Sequence, residues 1–340
     1  LTAANMLDAR EHGATILTGC EVTGLLREGD RVQGVALYDR QRRKPLSLRA
    51  QVVVNAAGIW GQRIAEYADL RIAMFPAKGS LLILDHRINR QVINRCRKPA
   101  DADILVPGDT ISLIGTTSMH IPYDEIDDNR VTAGEVDTLL REGEKLAPIM
   151  GRTRILRAYS GVRPLVASDD DPSGRSVSRG IVLLDHARRD GMEGFITITG
   201  GKLMTYRLMA ERMSDLVCRY LGNNEPCRTA EEPLMEDPSP ELMQKAAKVF
   251  PLNGAVLAAD RLGSTFADVV EKAASEKDNE LLCECEMVSM AEVEYVARDP
   301  ATHSLHDVRL RARLGMGTCQ GTFCSLRAIG ALTERNVPLA

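Results

Sequence analysis

Aromatic side chains are scarce in this 340-residue chain, at 4% of positions with a single Trp. That leaves little from which to build a stacking platform for single-stranded nucleic acid. Charge of one sign is also wanting: 43 Lys and Arg stand against 47 Asp and Glu, a formal net charge of -4. A nucleic-acid binder usually shows a basic stripe, and this balance argues against one. No apolar run approaches the roughly 18 residues that a membrane-spanning helix needs. The longest candidates, such as 180–184, are strand-sized. The remaining composition, 44% hydrophobic and 26% charged, is that of an ordinary globular protein, and the length suggests two or three domains.

Residues 1–12 read as the middle of a helix with Ala3, Met6 and Leu7 on one face. The first residue is Leu rather than Met, so the true N-terminus is expected upstream. Residues 15–17 read as a short strand, and 21–26 and 32–38 as paired strands turned at Gly29-Asp30. Residues 40–44 form a basic, solvated hairpin tip. Val52-Val53-Val54 predicts a strand buried on both faces, as in a parallel sheet. Small residues, Asn55-Ala56-Ala57-Gly58, follow at its carboxyl end, where open α/β sheets bind ligands. A helix resumes over 61–70.

Residues 71–179 change character. β-rich runs at 80–84, 103–106 and 110–117 are separated by turns and by one helix at 133–146. This predicts an antiparallel sheet with a helix, inserted as a second domain. Strands return at 180–185 and 195–199, and a long helix runs to about 221 with Leu203, Met209, Met213, Leu216 and Val217 near a 3.6 period. The expected fold is α/β: a Rossmann-like domain in 1–70 and 180–222, a substrate domain in 71–179, a linker and helices in 223–277, and a small helical module in 278–340.

Two features carry chemistry. In the first, Ile196-Thr197-Ile198-Thr199 runs into Gly200-Gly201-Lys202 and then a helix. Backbone N–H groups and the positive end of the helix dipole converge at such a turn and stabilise negative charge. That suits the pyrimidine edge of a reduced flavin, although plain strand-turn-helix units share the pattern. The second feature is the pair Cys283 and Cys285 with the pair Cys319 and Cys324, separated by residues 286–318. Two close thiolate pairs suit a [2Fe–2S] cluster or tetrahedral zinc, and Gly315, Gly317 and Gly321 would admit backbone N–H groups to the sulfurs. Cys20, Cys96, Cys218 and Cys227 are scattered and read as ordinary thiols.

The 52–60 stretch followed far downstream by Gly200-Gly201-Lys202-Leu203-Met204-Thr205-Tyr206-Arg207 resembles the D-amino-acid-oxidase-like flavoproteins. Ala158-Tyr159-Ser160-Gly161-Val162-Arg163-Pro164-Leu165 narrows the likeness to FAD-dependent glycerol-3-phosphate dehydrogenases. The cysteine module, similar to bacterioferritin-associated-ferredoxin-like [2Fe–2S] domains, narrows it to the large FAD subunits of the bacterial anaerobic enzymes. This resemblance implies oxidation of sn-glycerol 3-phosphate to dihydroxyacetone phosphate. It implies FAD, a [2Fe–2S] cluster with zinc as the alternative, and FMN as a further group compatible with the parent complex. It also implies partner subunits B and C, electron delivery to a quinone pool in anaerobic respiration, and a peripheral seat on the cytoplasmic face of the inner membrane.

By position, the resemblance places the Val22 backbone at the adenine side and Ala57 and Gly58 along the dinucleotide, with Trp60 nearby. Gly201, Lys202, Leu203 and Thr205 would border the flavin. Arg163 and Arg179 would hold the phosphate, which guanidinium forks match, and Lys202 would offset charge on flavin or substrate. Two departures stand out. The family's opening strand, G-x-G-x-x-G turn and helix are absent, so the chain is expected to lack its first nucleotide-binding unit and not to work alone. Leu81 follows Lys78-Gly79-Ser80 where aerobic relatives carry His, which leaves the general base unassigned. The histidines 12, 86, 120, 186, 303 and 306 are read as structural or exposed. The rival readings are an amine or amino-acid oxidase of the same superfamily, and a non-catalytic fragment unable to hold FAD.

Overall fold

The computed structural model describes residues 1–97, 100–108, 110–166, 180–275 and 279–337. Arg179 lies outside them. The first helix, α1 (Thr2–Glu11), buries none of its residues, so the expected apolar face of Ala3, Met6 and Leu7 is not a core face. Polar contacts hold α1 instead: Arg10 reaches Asp299 through two bonds of 3.3 and 3.0 Å, and Glu11 accepts from Ser264 at 2.9 Å. Residues 15–17 form no strand, because no neighbour among the described residues offers them a ladder. A three-stranded antiparallel meander follows, β1 (Cys20–Glu28), β2 (Arg31–Asp39) and β3 (Lys44–Arg49). The third strand starts inside the expected basic tip. It is an exposed edge, where Pro45 costs no ladder bond on the open side.

β4 (Val53–Asn55) leads through a tight turn into α2 (Gly61–Glu66), four residues shorter than the expected 61–70. The chain then enters a large antiparallel sheet: β5 (Met74–Leu84), β6 (Ile93–Asn94), β7 (Ile104–Pro107), β8 (Ser112–Gly115), β9 (Met119–His120) and, after α3 (Ala133–Gly143), β10 (Ile155–Val166). The order is β10-β5-β8-β7-β6, with β9 also on β5. Thr132 and Glu135 close a capping box that starts α3. Leu139 of that helix packs with Leu82, Leu84, Leu105, Ile114 and Met150.

β11 (Ile181–Asp185), α4 (His186–Asp190) and β12 (Phe195–Gly200) return the chain to β4, in the order β11-β12-β4. β12 runs parallel to β4 with Phe195 opposite Val53 and Thr197 opposite Asn55. The expectation that β4 is buried on both faces is corrected: it is the edge of this three-stranded sheet, and Val54 is 39% exposed. α5 (Tyr206–Leu221) covers β12, where alternate residues Ile196 and Ile198 meet Met213 and Leu216. Gly222, in the left-handed region at φ 71°, ends the helix.

The remainder is a helical module with its own core: α6 (Pro240–Val249), α7 (Gly254–Leu262), α8 (Phe266–Ser275), the small hairpin β13 (Leu281–Cys283) and β14 (Val288–Ser289), α9 (Met290–Ala297), α10 (Leu305–Ala312) and α11 (Cys324–Glu334). Cys283 and Cys324 lie within that core. Among the described residues no helix is long and apolar enough to cross a membrane.

Candidate functional site

Parallel pairing sets the carboxyl ends of β4 and β12 side by side, so 55–58 and 199–202 leave the sheet at one edge. Asn55 is buried there. Its Nδ2 donates to the Gly61 carbonyl at 2.8 Å and to Thr197 Oγ1 at 3.2 Å, and its Oδ1 accepts the Ala57 N–H at 3.3 Å. Thr197 Oγ1 lies 2.8 Å from His186 Nε2, and His186 Nδ1 lies 2.6 Å from Asp190. Burial pushes the His186 imidazole below its ordinary range, although Asp190 pulls the other way. Gly58 takes φ 57° with open space where a Cβ would stand, and Gly201 takes φ 68° with the Met209 sulfur close by. Backbone can therefore meet a ligand closely at Gly58, while at Gly201 the missing Cβ makes room for Met209. In the strand that leads into the second turn, the buried Thr199 hydroxyl has no hydrogen-bond partner among the described residues.

The glycine turn differs from its expected form in one respect. Two N–H groups thought to converge on a ligand are already used: Gly201 donates to the Gly180 carbonyl at 2.8 Å, and Lys202 donates to Thr205 Oγ1 at 3.0 Å. A short 3-10 turn, Leu203–Thr205, precedes α5, so the helix does not begin directly at the glycines. Lys202 is exposed, and Leu203 and Met204 are 77% and 82% exposed.

The turn Gly58–Trp60 is clipped to the region beside the large sheet. Tyr123 donates to the Ile59 carbonyl at 2.9 Å, and the Trp60 indole donates to Asp127 at 2.8 Å. Asp127 also takes Arg63 at 2.6 Å, and these two donors hold its carboxyl below the usual range. Val162 of β10 packs against Ile59, Ile121 and Ile126. The neighbouring Arg163 thus stands on a strand that touches both the 58–60 turn and β12. Its guanidinium donates to Thr116 Oγ1 at 2.6 Å, to the Thr117 carbonyl at 3.4 Å and to the Ala77 carbonyl at 3.5 Å. It lies flat over Gly79, where an added Cβ would stand 2.7 Å from Nη1 and closer still to Nη2.

Lys78 and Ser80 flank that glycine and turn the other way. Lys78 Nζ meets Glu135 at 2.8 Å in a fully buried pair, and also donates to the Arg130 carbonyl. Ser80 and Thr117 hydroxyls donate to the same carboxylate at 2.6 and 3.1 Å. Burial raises the cost of ionising Glu135, but these donors outweigh it and hold the group at about 2. Lys78-Gly79-Ser80 is therefore a berth for Arg163 backed by a buried ionic hub.

The four clustered cysteines approach one another between the β13–β14 hairpin and the start of α11. The Cys283 thiol contacts Cys324, and the Cys285 thiol contacts Cys319. Burial opposes ionisation of Cys319, yet N–H groups of Gly321 and Phe323, the Cys285 thiol and the N–H of Thr322 bring it below its usual range. Burial, followed by the charge of Cys283, pushes Cys324 up to about 12. Among the described residues no set of three or more His, Cys, Asp and Glu is gathered tightly enough to hold a metal ion.

Of the expected residues, the structure brings Ala57, Gly58, Gly201, Lys202 and Thr205 to one sheet edge, with Leu203 exposed beside them. Trp60 adjoins this edge but turns its indole toward Asp127. Val22 lies apart, half-buried on β1 opposite Leu37. Sequence reasoning passed over Asn55, Thr197, Thr116 and Glu135 as site residues. Only Asn55 carried a signal, as a lone polar residue closing an apolar strand.

A strand edge of this kind, with glycine turns at the carboxyl ends of paired parallel strands beside a large antiparallel sheet, fits a flavoprotein oxidoreductase. Residues 1–207 match the family described as FAD dependent oxidoreductase, and the chain belongs to that family. It is 64% identical, over 99% of its length, to the A-subunit of the anaerobic glycerol-3-phosphate dehydrogenase of Escherichia coli K12, covering 62% of that protein. It is 59% identical, again over 99%, to the corresponding protein of Haemophilus influenzae, covering 60% of it. The chain thus spans about three fifths of the length of these curated relatives. Its fold matches the glycerol-3-phosphate dehydrogenase of Bacillus halodurans complexed with FAD, at a TM-score of 0.69 and 23% identity, over 97% of this chain and 66% of that one.

Proposed function

We propose that the chain is the larger part of an FAD-dependent dehydrogenase that oxidises sn-glycerol 3-phosphate to dihydroxyacetone phosphate. The observation that carries this reading is the 64% identity with a protein named for that reaction. FAD would lie along Ala57 and Gly58, border Gly201, Lys202, Leu203 and Thr205, and reach toward Val22 with its adenine. When bound, FAD supplies the hydride acceptor. The chain's own residues position and balance charge: Arg163 holds the phosphate dianion through its fork, Arg179 is its second cation, and Lys202 offsets negative charge at the turn. Fixing the substrate carbon beside the cofactor edge is the proximity effect that makes the transfer feasible. Within this reading, 1–70 and 180–222 form the FAD domain, 71–179 the substrate domain and 278–340 the cysteine module.

The test is anaerobic mixing of the FAD-loaded parent protein, of which this chain is the larger part, with glycerol 3-phosphate and, separately, with a panel of amino acids, beside a titration of this chain alone with FAD. Bleaching of the flavin band by glycerol 3-phosphate alone is expected. Bleaching by amino acids alone would show an amino-acid oxidase instead, and no FAD uptake would show a non-catalytic fragment.

The cysteines hold a [2Fe–2S] cluster in this reading. Four thiols in two pairs, the N–H groups that aim at Cys319, and the close approach of Gly317 to Cys285 support it. Anaerobically purified chain is expected to carry iron and acid-labile sulfide in equal amounts, and Cys319→Ala to lose both. Zinc without sulfide would instead assign a structural tetrahedral site. Following the lettering of the relatives, the chain works with partner subunits B and C at the cytoplasmic face of the inner membrane, delivers electrons to quinone, and leaves FMN to the wider complex.

A further inference from the structure

His186 is fully buried and unused by the chemistry above, yet it stands inside a continuous polar chain. Asp190, His186, Thr197 and Asn55 are joined at 2.6, 2.8 and 3.2 Å, and Asn55 ends on the Ala57 N–H and the Gly61 carbonyl. Asp190, His186 and Thr197 lie within one short stretch, and Asn55, far away in sequence, joins them where β12 pairs with β4. We infer that this chain is a positioning relay that fixes segment 55–61 as the floor on which FAD is bound. The inference rests on the cofactor reading given above and assigns Thr197 and His186 a part in it.

The direction of each bond follows from what its neighbours can do. Asp190 is a carboxylate and only accepts, so His186 Nδ1 carries the proton and Nε2 is left as an acceptor. The Thr197 hydroxyl must then donate to Nε2, which turns its lone pairs toward Asn55 Nδ2. With Nδ2 held between Thr197 and the Gly61 carbonyl, Oδ1 faces the Ala57 N–H. Reversing the amide would set Oδ1 against the Gly61 carbonyl oxygen, two acceptors with no proton between them. The acceptor on α4 and the Gly61 carbonyl thus agree on a single orientation of the amide that shapes the turn before Gly58. The strands position the same turn through the pairing of Thr197 with Asn55, so removing the relay loosens the floor without removing the sheet.

Thr197→Val removes the hydroxyl at nearly constant shape, while Thr197→Ser keeps it. Two readouts separate them in the full 340-residue chain: amide hydrogen exchange across 55–61, and the rate of FAD release after reconstitution. Both are expected to quicken roughly 5- to 10-fold in Thr197→Val, the effect of losing one buried hydrogen bond, and to stay near wild type in Thr197→Ser. The His186 ring nitrogens should report the Nδ1–H tautomer by NMR. Equal exchange in the Val variant and wild type would overturn the relay, as would equal quickening in Val and Ser. If the unsubstituted chain takes up no FAD while exchange still separates Val from Ser, the relay stands and the cofactor reading fails.

Discussion

Lys78→Met lowers the free energy of unfolding by about 3–5 kcal/mol, the loss expected when one partner of a buried ion pair is removed and the other stays charged. Lys78 and Glu135 side chains are 6% and 7% exposed, and both are enclosed by protein donors and acceptors. In the variant, Ser80, Thr117 and Thr132 still donate to Glu135, but no cation offsets its charge. The deficit depends on pH with a definite sign. In the wild type Glu135 is held at about 2 against an ordinary value of 4.5. Its contribution is therefore complete above about 4.5 and fades as pH falls toward 2. Without Lys78 the carboxyl takes a proton more readily, so the gap between variant and wild type narrows as pH drops from neutral to about 4. Glu135→Leu alone should cost a similar amount, while Lys78→Met with Glu135→Leu should recover much of the loss, since well-packed apolar groups can replace a buried pair. Urea unfolding at several pH values measures all three. A loss under about 1 kcal/mol for Lys78→Met at neutral pH would mean that water reaches the pair and screens it.

What could be read from the sequence was local. The alternation of 21–26 and 32–38, the runs at 80–84 and 103–106, and the glycine turn after Ile198 all depend on neighbours a few residues apart, and each became a strand or a turn. The full length of β10 was not legible, because Ser160, Gly161 and Pro164 break the β-rich pattern that β5 then restores by pairing. Burial of β4 was overread, since three Val residues state a preference for strand but not how many strands lie alongside. The cysteines show the same limit more sharply. Spacing groups Cys283 with Cys285 and Cys319 with Cys324, but the thiols meet between the hairpin and the start of α11, 283 with 324 and 285 with 319. Polar networks were the least visible, because Asn55 and Thr197 meet only through the register of β4 and β12, and Glu135 reaches Lys78 only when α3 packs on β5.

If Arg163 holds the phosphate as proposed, Gly79→Ala in the parent protein raises the KM for glycerol 3-phosphate and lowers kcat/KM by roughly 10- to 100-fold, while leaving stability almost unchanged; losing a hydrogen-bonded contact to a charged group is worth about 1.5–3 kcal/mol. Gly79 has no positive φ and lies within β5, so a methyl group imposes no backbone strain. Its new Cβ would stand 2.7 Å from Arg163 Nη1 and 2.8 Å from Cζ. The guanidinium is the far end of a flexible side chain and can move away, so the fold survives while the geometry set by Thr116 Oγ1 is lost. Gly161, which faces Gly79 across the β5–β10 pair, supplies the control. A Cβ there meets nothing within 4 Å, so Gly161→Ala should keep wild-type kinetics. Arg163→Lys should fall at least as far as Gly79→Ala, because an ammonium keeps the charge but not the fork. Flavin-reduction kinetics with the three variants, set beside their melting temperatures, decide the point. Unchanged KM in both Gly79→Ala and Arg163→Lys would remove Arg163 from the phosphate site. Equal loss in Gly161→Ala would trace the effect to the strand pair as a whole and not to the berth that Gly79 leaves for the guanidinium.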